Sequence, residues 1–210
     1  INKCVTHEDI LQATRLAAAH HLEALKLYFM VGLPGESEGD IEELIGLCRE
    51  IKGAFSRKVV VNVGPFVPKA HTPFERAAMA PRALLDERLA RIKGALSRAQ
   101  VEVRAEPTQG AHVQGVLARG DRQVGEALLG MRAPAPSRWE AALRAQGLSE
   151  EEYLRGRAPD EPLPWDFIDG RVAPAYLAAE QRRSTEGLAT EACVPQECRR
   201  CGVCPAKEKL

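Results

Sequence analysis

Apolar positions along this chain change their spacing several times, and each change marks an element. Leu25–Val31 (LKLYFMV) is a run of apolar and aromatic residues that suits a strand buried on both faces. It stops at Gly32-Leu-Pro-Gly35, where the glycines admit backbone angles closed to other residues and Pro34 fixes one angle of the turn. Ser37 then caps a helix, with Asp40 in a capping-box position. Over Glu38–Lys52, Ile41, Leu44, Ile45, Cys48 and Ile51 recur at helical spacing, which points Cys48 into a core. Upstream, Thr6–Leu22 predicts a helix with Thr6 as N-cap and an apolar side of Ile10, Leu11, Ala17, Ala18 and Leu22. Downstream, the β-branched run Lys58–Phe66 predicts a second buried strand, followed by a proline-rich loop to Phe74. Pro81 opens a helix at its first position, with Leu85, Leu89, Ile92 and Leu96 on one face, and Val101–Arg104 is a short third strand. The order α-β-α-β-α-β predicts an α/β chain with a parallel sheet wrapped by helices, whose ligands sit where the strands end.

Past Pro107 the pattern loosens. Short helical pieces are broken by Gly120, Gly130, Pro134, Pro136 and Gly147, and prolines punctuate residues 159–164. A last helix runs from Pro174 to about Ser184. The sequence therefore divides into an α/β part (1–106), a mostly helical extension (107–192) and a cysteine-rich tail (193–210).

Composition narrows the function classes. Apolar residues make up 45% of the chain, enough for a core, and no stretch approaches a membrane span. Lys+Arg and Asp+Glu cancel at 29 each, so no global basic field advertises nucleic acid, although a local patch stays open. The first segment is amphipathic rather than a secretory leader, and the expectation is a cytoplasmic protein with no membrane partner.

Cysteine placement carries the strongest local signal. Cys4 and Cys48 are isolated, whereas Cys193, Cys198, Cys201 and Cys204 crowd the tail in the spacing C-x4-C-x2-C-x2-C, followed by Pro205. Four thiolates so close together can surround one ion or cluster. The overlapping C-x2-C pairs favour an Fe–S cluster over structural zinc, and zinc is retained as the alternative. Arg199 and Arg200 would offset the negative charge of either.

Other features point to ordinary roles. The turn Gly32–Gly35 lacks the Lys-Ser/Thr of a P-loop and the spacing of a dinucleotide fingerprint, and Glu36, Glu38 and Asp40 already place negative charge there. His71 reads as a solvent-facing loop residue, and His20 and His21 close a helix. Asp166 and Asp169 read as turn formers, and Trp139, Tyr153 and Trp165 as anchors of the extension rather than a stacking platform.

Several phrases in order, INKCVTHEDIL, KLYFMVGLPGE, VNVGPFVPKAHTPFE, VLARGDRQVG, EPLPWDFIDGRV and the cysteine tail, resemble the radical S-adenosylmethionine (SAM) enzymes. The resemblance is to the cobalamin-domain-containing type of uncharacterised function. It implies the C-terminal part of a partial (β/α) TIM-like barrel that binds a [4Fe-4S] cluster and SAM and generates a 5′-deoxyadenosyl radical, with cobalamin as a further cofactor. It places Met30, Gly32 and Leu33 at the end of the penultimate barrel strand, near the SAM adenine, and Val63 and Phe66 at the end of the last.

One departure is plain: the cluster-binding C-x3-C-x2-C motif of that family is absent. The expectation is therefore a C-terminal fragment, inactive by itself, whose first partner is the missing N-terminal half of the same protein and whose substrate is unknown. Two alternatives stay open. One is a non-catalytic zinc-binding interaction module. The other is a tRNA-modifying methylthiotransferase-like radical SAM protein, whose family shares the strand-GxPGE phrase, although no RNA-binding domain is obvious here.

Overall fold

The computed structural model describes residues 5–131, 133, 135–194, 198 and 200–204. Cys4, Pro134, Arg199 and Pro205 lie outside the described residues. The chain forms two compact units. The sheet unit runs to Phe66 and takes in Ala80–Ala111; the helical unit takes in Val67–Met79 and the described residues from His112 onward.

In the sheet unit, three parallel strands lie in the order β1 (Ala24–Val31), β2 (Lys58–Pro65) and β3 (Glu102–Ala105). Between them run α1 (His7–Ala19), α2 (Glu38–Ala54) and α3 (Arg82–Ser97), with α1 packed on α2 and α2 on α3. Ser37 closes the capping box that the sequence predicts, and Thr6, expected as an N-cap alone, closes a second; each accepts from the backbone N–H of the aspartate three residues on. Pro81 is the N-cap of α3 rather than its first residue; its ψ of 146° keeps it out of the helix. Cys48 and the face Leu85, Leu89, Ile92 and Leu96 are buried as their spacing demands, whereas Leu22 lies beyond the end of α1 and is half exposed.

The expectation of two central strands holds for only one. β2 lies between two neighbours, and Val59, Val60, Val61 and Val63 are all buried. β1 is an edge strand, and its burial alternates. Lys26, Tyr28 and Met30 are exposed, while Leu25, Leu27 and Phe29 turn the other way and are half-buried. One charged residue inside an apolar run signals a half-covered strand, since a two-sided core would strand Lys26 without water.

The helical unit holds α5 (Arg122–Leu129), α6 (Pro136–Ala145), α7 (Glu150–Leu154) and α8 (Pro174–Thr185), and the later residues of α4 (Thr108–Arg119). Pro136 starts α6 at N1 instead of breaking a helix. Trp139, Tyr153 and Trp165 are buried anchors. Asp166 and Asp169 accept backbone N–H bonds from Leu163 and Arg171, at 2.8 Å each, in the turn roles expected of them.

Much of this unit is irregular, and arginines replace the missing ladder. Arg119 is fully buried and donates to the carbonyls of Ala77 (2.8 Å) and Arg155 (2.9 Å). Arg76 donates to the carbonyls of Ala158 and Glu161, and Arg157 to that of Arg119. A planar five-donor fork satisfies several loop carbonyls at once, which a single backbone N–H does not.

Candidate functional site

The two places singled out by the sequence lie in different units. The first is at the carboxyl ends of β1 and β2. Phe66 N–H donates to Val31 O at 2.7 Å, so the chain leaving β2 stays paired beside the turn that follows β1. That turn is locked from within. Gly32 has φ +82°, and a Cβ there would stand 2.6 Å from Leu85 Cδ2. Its N–H donates to Glu36 Oε2 at 2.7 Å, and the Arg88 guanidinium grips the same carboxylate while donating to the Glu36 carbonyl at 3.1 Å. The Arg88 and Glu36 side chains are 8% and 7% exposed, so this pair is effectively desolvated, and losing either member leaves a buried charge. With the turn N–H already committed, the site offers little to a phosphate, in agreement with the sequence.

The register divides the residues proposed for an adenine wall. Met30 stands level with Gly64, and Phe29 with Val63. Paired residues of parallel strands project to the same face, and neighbours along a strand to opposite faces. Met30 and Val63 therefore point to opposite faces of the sheet. Met30 is 41% exposed and Val63 is 1% exposed. The expectation that both side chains line one wall is corrected: Val63 belongs to the core. On the Met30 side, the Glu106 carboxylate lies against Gly64, where an added Cβ would meet Oε2 at 3.1 Å. Gly32 is buried, and Leu33 and Phe66 are half-buried near the strand ends. Met30, Leu33 and Phe66 give this end apolar surface of the kind a heterocycle packs on, with the Glu106 carboxylate beside it.

The second place is the cysteine tail, within the helical unit. Cys193 is exposed, and Cys198, Cys201 and Cys204 are half-buried. Cys201 O accepts from Ala173 N–H at 2.8 Å, which ties the tail to the start of α8. The Arg200 guanidinium donates to Cys198 Sγ at 3.3 Å and to Glu191 at 2.8 Å. Burial first, and then the negative charge of Glu180, push the Tyr176 phenol upward, with Cys201 and Cys198 adding to the effect. The thiols suit a soft metal by their chemistry. As placed, however, the described residues bring together no group of three or more His, Cys, Asp or Glu side chains able to hold one ion.

Sequence reasoning missed three polar residues. Arg88 had a usable signal: it lies at i+3 from Leu85 on the buried stripe of α3, so a charge there demanded a partner. Glu106 sits one residue past β3 and had none. His71, expected to face solvent, has φ +57°, its Nε2 is buried without a hydrogen-bond partner, and Gly170 packs directly on its ring.

Among the described residues, no helix is long and apolar enough to cross a membrane. Among the known proteins that match, two show partial likenesses of the following extent. An uncharacterized protein of Methanocaldococcus jannaschii is 38% identical over 128 residues, 61% of this chain and 28% of that protein. A tRNA-2-methylthio-N(6)-dimethylallyladenosine synthase of Erythrobacter litoralis is 33% identical over 106 residues, 50% of this chain and 23% of the synthase. The chain thus spans about a quarter of the length of the curated relatives it matches. No protein-family model and no solved structure matches it. The likeness to the synthase is a coarse, partial sign of relatedness to the radical SAM proteins that the strand-turn phrases resemble.

Proposed function

We propose that this chain is the carboxyl-terminal part of a radical SAM protein, and that the ends of β1 and β2 supply part of its SAM pocket. The observation that carries the reading is the 33% identity, over half the chain, to a tRNA methylthio-group synthase, the class that shares the strand-GxPGE phrase. A parallel sheet with helices layered beside it is consistent with a segment of a (β/α) barrel, and the barrel itself is part of the proposal. So is the finer assignment to the cobalamin-associated type, which rests on the ordered phrases alone.

Met30, Leu33 and Phe66 would hold the adenine by apolar contact, and Gly32 would keep the turn low enough to admit it. Val63 acts from behind, through the core. When bound, the [4Fe-4S] cluster supplies the electron for reductive cleavage of SAM; its ligands are not among the motifs of this chain. The chain's own part is to bind and orient the cofactor and to exclude water. A tRNA substrate is the second reading, favoured by the synthase's name.

The cysteine tail is proposed as a metal site that assembles only with its ion, which must draw Cys193, Cys198, Cys201 and Cys204 together. Iron, acid-labile sulfide and zinc assayed on anaerobically purified chain decide it: one cluster or one zinc per chain is expected, and metal-free protein overturns it. For the SAM reading, the test is SAM binding by the protein that carries this chain with its upstream sequence. Met30→Glu is expected to weaken binding by about tenfold or more, since it sets a carboxylate against an apolar ring. Unchanged affinity overturns the placement.

A further inference from the structure

A cavity of about 960 Å³ lies wholly within the helical unit, and its lining takes in no residue of the cysteine tail. Its wall brings together Arg122, Arg155, Arg157, His71, Trp165 and Phe167. We infer that it binds a nucleotide, with the phosphate taken by Arg122 and Arg157 and the base packed on Phe167. The proposal does not rest on the radical SAM reading.

Charge is the first support. Arg76 and Arg119 stand behind the three arginines of the wall, so five guanidinium groups share one region with Asp121, Glu152 and Glu161. Two of those carboxylates are already engaged. Arg155 holds Glu161 with both of its terminal nitrogens, at 2.9 and 2.7 Å. Asp121 caps α5 through the N–H groups of Gln123 and Val124 and accepts from the Tyr153 hydroxyl at 3.2 Å. Arg157, whose side chain is 7% exposed, stays 3.9 Å from Glu161, and its Nε has no hydrogen-bond partner. Arg122 is exposed on the wall and joins no ion pair among the described residues. Burial lowers the pKa of both Arg119 and Arg157; neighbouring arginines lower it further, while Glu161 opposes the fall at both.

Ring surface is the second support. Arg157 lies over the Trp165 indole, 5.5 Å from its centroid, and the indole N–H is fixed to Glu75 at 3.0 Å. Trp165 is therefore a rigid floor. Phe167, at the mouth, is 86% exposed, with Ile168 beside it 52% exposed. A flat apolar ring left in water beside a cationic pocket favours a ligand that joins a planar group to an anion. His71 completes the wall, pinned between Gly170 and Glu75, which accepts its backbone N–H at 2.9 Å.

The same chemistry belongs to a free nucleotide and to a nucleotide of a single-stranded RNA, and the experiment separates them. Calorimetry on the full chain compares AMP, adenosine, inorganic phosphate and a short single-stranded RNA. AMP is expected to bind, with adenosine and phosphate each at least about tenfold weaker, because each keeps half of the contacts. Arg122→Ala and Phe167→Ala alter exposed side chains, and each is expected to weaken AMP binding by about tenfold. RNA binding without AMP binding, with the same loss in both variants and a fall with added salt, assigns the site to a nucleotide within a strand. The inference is overturned if neither AMP nor RNA binds at millimolar concentration, if phosphate alone binds as well as AMP, or if both variants keep the parent affinity.

Discussion

The two units solve the same problem by different means. In the sheet unit, backbone groups find partners in ladders and helices, and side chains add caps and an apolar core. In the helical unit, long irregular stretches close on themselves, and guanidinium forks reach carbonyls far away in sequence, as from Arg76 to Ala158, 82 positions on. The first arrangement leaves a periodic trace in the sequence. The second leaves none, because a single arginine replaces a run of regular pairs. Each unit should therefore fail at a different kind of residue.

The largest effect is expected in the sheet unit, at its buried Arg88–Glu36 ion pair. Arg88→Met breaks the buried pair and leaves Glu36 desolvated without a counter-charge, for a loss of about 3–5 kcal/mol in urea unfolding. Arg119→Met tests the helical unit. It frees the buried carbonyl of Ala77 and the part-buried one of Arg155, at a cost of about 2–4 kcal/mol, and Arg119→Lys, with no fork, should recover less than half. If Arg119→Met costs under 1 kcal/mol, the contrast between the units collapses.

Titration distinguishes the units further. Burial pushes the Cys48 thiol up to about 12 from an ordinary 9.0. The unfolded chain gives up that proton first, so the sheet unit should lose stability as pH rises from about 9 towards 12, and Cys48→Ala should abolish that slope while lowering stability overall. Hydrogen bonds from Arg155 pull Glu161 down to about 2, so its support for the helical unit is complete above about 4.5 and fades as pH falls towards 2. The smallest effect is a cap: Ser37→Ala should cost about 1 kcal/mol.

Legibility in the sequence follows the same contrast. The Ser37 capping box, the Thr6 N-cap, the inward Cys48, the stripe of α3 and the α-β-α-β-α-β order are readable because each rests on spacing within a few residues. The facing of β1 departs from the two-sided expectation at Lys26, whose charge marks the alternation that sets Met30 and Val63 apart. The covering of His71 leaves no local trace, because its neighbour in space, Gly170, is remote in the chain. The strand-end residues were found by resemblance, and only the strand register shows which of them share a face.

The central proposal is that at the strand ends Val63 faces the core while Met30, on the opposite face, meets SAM. Amide hydrogen exchange of the protein that carries this chain, measured with and without SAM under anaerobic conditions, tests it most directly. Added SAM should slow exchange at residues 30–33 and 64–66 and leave residues 41–51 of α2 unchanged. Protection confined to other segments, with the ends of β1 and β2 unaffected by SAM, would contradict it.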